Sequence, residues 1–298
     1  MMWPGITTVV HLARRHPIGT FLVPVSAASA LALLLVGPPQ LENGSSDSLG
    51  MALAVFPLMI ATVAAAGIGL TALMDGRAGL RGLFGRLRRL PVRRSWYLVV
   101  LVPPAAVMAV LFSLKTVVSP AFAPGFLPIG IMFGLVAGAL EEIGWTGYLY
   151  PRLRGRIGPL KGAIALGVIW GTWHLPVVDA LGAASPHRSA WPLFFLAFVA
   201  ALTGLRLLIS RVYEATGSIP LAQLLHASST ASLVILGAPA TTPAQEVVWY
   251  AAYAAVLWAI AAVVAWRTRD EAFSAKEGTM RTDVAHDHRN GPVAAAGS

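Results

Sequence analysis

An all-α, polytopic membrane bundle of about eight transmembrane helices is the fold class this sequence predicts, and three observations carry the prediction. Only 12% of the 298 residues are charged, about half the share found in an ordinary soluble domain. Hydrophobic residues make up 56% and mean hydropathy is +0.70. The apolar residues also fall into runs of about 20, the length that crosses a hydrocarbon core. In water such a chain could not cover its own apolar surface, so soluble, disordered, collagen-like and coiled-coil classes are excluded. Cysteine is absent, which removes disulfides, thiolate metal sites and cysteine nucleophiles together.

The eight runs cover residues 18–36, 51–74, 96–118, 126–150, 162–181, 191–209, 219–236 and 246–266. The first could instead be a signal peptide, because Arg14 and Arg15 precede it. Its apolar run is longer than the usual 7–15 residues of such a signal, which favours a retained helix. Residues 1–17 are then a cytoplasmic N-terminus, 18–266 one membrane domain, and 267–298 a polar tail of mixed charge expected to be disordered. The tail histidines His286 and His288 fit a solvated segment better than a metal site.

Orientation follows from the cations, which resist translocation. Two precede the first run, seven lie between residues 77 and 94, and four follow the fourth run. Arg206 and Arg211 lie at the inner end of the sixth, and five more follow the eighth. That puts 20 of the 22 Lys and Arg on one side and leaves Lys115 and Arg188 on the other. An even number of spans with both termini in the cytoplasm is the expectation. The formal charge of +9 therefore reflects topology and anionic lipid, with no soluble basic face to bind nucleic acid. Residues 77–94 interleave arginine with Leu80, Leu83, Phe84, Leu87 and Leu90, the pattern of an amphipathic helix lying in the interface.

Four ionisable side chains stand mid-span: Glu141, Glu142, His174 and His226. Each costs on the order of 2.5–3.5 kcal/mol to insert, so each needs a reason. At 1.5 Å per residue Glu141, His174 and His226 fall roughly 10–18 Å from the cytoplasmic end of their helices. They can therefore meet at one depth. Adjacent residues point about 100° apart, so one glutamate should serve the site and the other support it. Residues four apart share a face, which pairs Trp170 with His174 and His226 with Thr230. Pro176 should bend its helix and free the carbonyl of Thr172 near His174, while Gln223 and Ser229 flank His226. Trp145, Trp170 and Trp173 fit helix packing, and Arg206 and Asp179 lie near enough to run ends to snorkel.

Three segments carry the pattern: Glu-Glu-Ile-Gly-Trp-Thr-Gly-Tyr-Leu from Glu141, Trp-Gly-Thr-Trp-His-Leu-Pro from Trp170, and His-Ala-Ser-Ser-Thr from His226. In order and setting they resemble the CPBP family of intramembrane proteases, which unites CAAX prenyl endopeptidases with bacterial Abi and bacteriocin-processing proteins. The family pattern is Glu-Glu-x-x-x-Arg, Phe-x-x-x-His and His-x-x-x-Asn, so Thr146, Trp170 and Thr230 depart from it. The resemblance covers residues 139–230. It implies an eight-helix bundle with a pocket open toward the cytoplasm, and hydrolysis of a peptide bond within it. It also implies roles: Glu141 activates water, Glu142 supports it, His174 positions water or binds metal, and His226 and Thr230 lie near the developing oxyanion.

Glu141, His174 and His226 could complete a three-ligand zinc site, and the same groups could hold water without an ion. Glutamate-activated water, with any metal weakly bound, is the favoured reading. The expected substrate is a membrane-associated peptide, prenylated or leader-bearing. Other hydrolase signatures are missing, including His-Glu-x-x-His and G-x-S-x-G. A catalytically weak member acting as a binding or immunity protein is the alternative. A transporter fits less well, because paired polar breaks in both halves of the chain are not seen.

Overall fold

A computed structural model describes residues 13–38, 48–91 and 93–287, with side chains as far as Arg267. Among the described residues there are helices, turns and bends but no strand. One compact unit runs to Trp258, and the residues from Ala259 form a second. The protein is a multi-pass helical membrane protein.

Ten α-helices make up the described chain: α1 (Pro17–Val36), α2 (Ser48–Leu87), α3 (Val102–Val117), α4 (Gly130–Gly144), α5 (Tyr150–Ile157), α6 (Pro159–Trp173), α7 (Val178–Leu181), α8 (Trp191–Thr216), α9 (Ile219–Leu236) and α10 (Pro243–Asp287). Six helical segments are long and apolar enough to cross a membrane. They correspond to the predicted runs at 18–36, 51–74, 96–118, 191–209, 219–236 and 246–266. The other two runs hold α4 and α6, each 15 residues long. α4 gives way to a π-helical turn after Gly144, and α6 ends just before His174. Exposed Leu34, Val117 and Phe126 give the bundle an apolar outer face, suited to lipid.

Local chemistry explains the interruptions. At Gly76 the backbone turns to φ 61°, ψ −153°, a region that a residue without Cβ enters at little cost. The membrane part of α2 stops there, and the arginine-rich part continues as a separate helical stretch. Its Leu83 is buried and its Phe84 exposed. α6 ends at Trp173, where one apolar run was predicted to continue to 181. Pro176 lacks the amide for another turn, and the chain passes through turns at 174–177 before the four-residue α7. α10 continues as far as Asp287 through Ala, Glu, Lys and Arg residues that favour helix, over part of the predicted tail. Residues 288–298, including His288, lie outside the described residues.

Close helix approach brings the polar residues together. Gly134 and Gly138 of α4 face the backbone of α9 so tightly that a Cβ at either would stand 2.3 Å from the Ala227 carbonyl oxygen or 2.5 Å from that of Gln223. Small residues four apart form the seam that lets two membrane helices touch by their backbones. Glu142 stands one turn beyond Gly138 and His226 lies between the contact residues Gln223 and Ala227, so the seam sets the two side chains face to face. Gly167 and Gly171 of α6 make the same kind of seam with Thr203 and Val199 of α8.

Candidate active site

The two glutamates lie in the last turn of α4, and Trp145–Leu149, which follow that helix, form a π-helical turn, a local widening often found at functional sites. Both carboxylates are fully buried, but they are held very differently. Glu141 Oε2 accepts the indole N–H of Trp170 at 2.7 Å and of Trp145 at 3.1 Å. Its Oε1 has no hydrogen-bond partner. Glu142 is saturated. Arg206 grips it with both terminal guanidinium nitrogens at 2.8 Å, His226 Nδ1 lies 2.8 Å from Oε1, and the Thr146 hydroxyl donates a short hydrogen bond to Oε2.

The imidazoles are oriented through one nitrogen each. His226 Nδ1–H points at the Glu142 carboxylate, leaving Nε2 as the acceptor. His174 Nδ1 lies 2.8 Å from the carbonyl oxygen of Trp170, so its Nε2 is also the free acceptor. Among the described residues neither Nε2 makes a hydrogen bond. The Trp170 carbonyl is available because α6 tightens as it ends. The backbone N–H of His174 reaches back three residues to Gly171, and that of Leu175 to Thr172. The Thr172 carbonyl, expected to be left free by Pro176, is thus taken by Leu175, and the carbonyl that orients His174 belongs to Trp170. Gln223 and Ser229 also serve other partners: Gln223 donates to the Ala139 carbonyl at 2.6 Å and Ser229 pairs with Tyr253 at 3.1 Å.

Aromatic rings wall the site. Trp170 meets His226 edge to face at 4.8 Å, and His174 is ringed by Trp170, Trp173 and Phe198 within 6 Å. Trp145 and Trp170 were expected to be packing residues, yet both donate to Glu141. Arg206 was expected to snorkel, and it is fully buried instead. α8 runs to Thr216, ten residues past Arg206, too far for the side chain to reach water. Asp179 is buried too, and pairs with His187 instead of joining this site.

The predicted residues are thus brought together in part. One network links Glu142, His226, Thr146 and Arg206, and indole N–H groups tie Glu141 to α6. Thr230 is half-buried and makes no hydrogen bond to these groups among the described residues. No three His, Asp or Glu side chains among the described residues are gathered so that they could hold an ion. Glu141, His174 and His226 are therefore not arranged as a zinc-ligand set, and the chemistry below is derived from protein groups.

Residues 123–232 match the family model described as type II CAAX prenyl endopeptidase Rce1-like. Over this segment the chain is similar to that family. A curated relative, CAAX prenyl protease 2 of Methanococcus maripaludis, is 35% identical over 57 residues, covering 19% of this chain and 21% of that protein. The match thus spans about a fifth of the relative's length. The segment that matches the family model contains both glutamates, His174, Arg206, His226 and Thr230, and ends four residues before α9 does.

Proposed function

We propose that the protein is an intramembrane endopeptidase that hydrolyses a peptide bond of a membrane-associated peptide, prenylated or leader-bearing, with water activated by Glu141. The observation that carries this reading is the free oxygen of Glu141: a fully buried carboxylate with one oxygen pinned by two indole N–H groups and the other unpartnered. Buried polar atoms normally find a partner. An oxygen held in place but unused suits a base that takes its proton from a bound water.

In this mechanism Glu141 Oε1 takes a proton as the water oxygen bonds to the scissile carbonyl carbon. His174 Nε2 accepts the second hydrogen of that water and aims its lone pair. The carbonyl electrons move onto oxygen, and the Thr230 hydroxyl donates to the resulting oxyanion. His226, oriented at Nδ1 by Glu142, lies beside it in this reading. When the C–N bond breaks, Glu141 returns the proton to the leaving nitrogen. One carboxylate left free and the other orienting an imidazole follows the general logic of oriented bases.

Purified protein in detergent, incubated with a mixed peptide library and followed by mass spectrometry, should release new termini. Glu141→Ala should release at least about 10²-fold less, the lower end of what general acid–base catalysis supplies. Thr230→Val should lose less. Cleavage by Glu141→Ala at the wild-type rate would remove the reading.

The division of basic residues supports a cell-membrane protein with its site facing the cytoplasm. Reporters fused after Arg86 and after Ser185 should then lie on opposite sides, Arg86 inside. Finding both on one side contradicts that orientation.

A further inference from the structure

We propose that Arg206 is a positioning residue of the active site, supplying from α8 the cation that the family pattern puts at position 146. The inference rests on the hydrolytic reading above, and it starts from a mismatch on the page. Position 146 holds threonine, too short and uncharged to balance a glutamate. Yet Glu142 is paired in a fork-to-fork geometry, both guanidinium nitrogens at 2.8 Å from its two oxygens. Thr146 lies in the same network: its hydroxyl donates to Glu142, and Arg206 Nη1 stands 3.3 Å from it. A long cationic side chain at 146 would claim the same carboxylate, since residues four apart share a helix face. The small residue at 146 and the buried arginine at 206 are thus two parts of one arrangement.

The pair is placed to do more than fill space. Desolvation offsets most of the attraction within a buried ion pair, so its use lies in geometry. A bidentate grip fixes the plane of the carboxylate, and in that plane Oε1 faces His226 Nδ1. The guanidinium also lies over the Trp170 ring, 4.3 Å from its centre, and Trp170 donates to Glu141. Arg206 therefore holds both glutamates: one directly, and one through the indole. Through Glu142 it sets His226 as the Nδ1–H tautomer, with Nε2 turned to the reacting groups.

The test reads that tautomer without any substrate, so failure to find a cleavable peptide leaves it standing. Histidine labelled with nitrogen-15 is introduced into the full-length protein in detergent, and spectra are taken well above the ordinary imidazole value of about 6.5. His226 is assigned by its loss in His226→Gln. Wild type should show His226 protonated at Nδ1 only. Arg206→Met, close in length but neutral, should lose that single signature for a mixture of tautomers. Arg206→Met with Thr146→Arg should regain it, because the cation returns to the same carboxylate from α4's side. The His187 signals, from a separate buried cluster, report the fold. An unchanged His226 signature in a folded Arg206→Met protein overturns the proposal. If Arg206→Met does not fold, the double variant decides: recovery of fold and signature supports the proposal, and failure to recover either overturns it.

Discussion

The active-site cluster and a second buried cluster lie five residues apart in sequence, at His174 and Asp179, and they handle the same chemical groups in opposite ways. In the second, His187 is fully buried. Its Nδ1 lies 2.6 Å from Asp179 Oδ1 and its Nε2 lies 2.9 Å from Glu246 Oε2. The backbone N–H of His187 donates to Asp179 at 3.0 Å, and those of Ala183 and Ala184 donate to Glu246 at 2.9 and 2.6 Å. The ring stacks on Phe194 at 3.6 Å. Every polar atom of this imidazole is used, so the cluster has nothing left to offer a substrate. At the candidate site Glu141 Oε1 has no partner, and among the described residues the imidazoles of His174 and His226 make hydrogen bonds through Nδ1 alone. Saturation marks a clamp that ties the 182–190 loop to α7 and α10, whereas the unengaged atoms suit the catalytic role proposed for their site.

Removing a partner should hurt most where a charge is left buried. Glu142→Ala strands Arg206, and breaking a buried pair from one side costs roughly 3–5 kcal/mol. Thermal unfolding in detergent should show that loss, together with a smaller fall in hydrolysis than Glu141→Ala causes. A Glu142→Ala protein as stable as wild type would mean that Arg206 finds another partner, and the saturated part of the active site would no longer resemble the clamp.

The clamp should answer to pH in a defined direction. Burial works against the charged form of His187, but hydrogen bonds and charge from Asp179 and Glu246 outweigh it, so its pKa is raised above the ordinary 6.5. A raised folded value means that the imidazolium's contribution to stability is complete below about 6.5 and is lost as pH rises through the folded value. Melting temperature should therefore fall across that alkaline window, and Asp179→Asn should flatten the dependence. A wild-type profile no steeper than that of Asp179→Asn would show that the clamp does not titrate as described.

The bundle and the four mid-span ionisable residues are legible in sequence because membrane insertion penalises charge so heavily that each exception is visible. Period and spacing also pair Trp170 with His174. What escapes is the partner of each group. Arg206 reads as a snorkelling residue because Arg211 and Glu214 make the sixth run look finished at 209, yet backbone bonding carries α8 seven residues further. The carbonyl that orients His174 depends on how α6 tightens in its last turn, which composition does not encode. The His187 clamp joins residues 59 to 67 positions apart, from 179 and 187 to 246, through a loop with no periodicity to read.

The contrast between an unengaged carboxylate and a saturated clamp is tested most directly by measuring turnover and melting temperature side by side for Glu141→Gln and His187→Gln. Glutamine at 141 keeps an oxygen for the two indoles but cannot take a proton, so turnover should drop by about 10²-fold or more with melting near wild type. Glutamine at 187 should keep turnover and lose stability, by about 1–3 kcal/mol for the groups left unpaired. Equal turnover in Glu141→Gln and wild type, or a loss of turnover in a well-folded His187→Gln as large as in Glu141→Gln, would contradict the account.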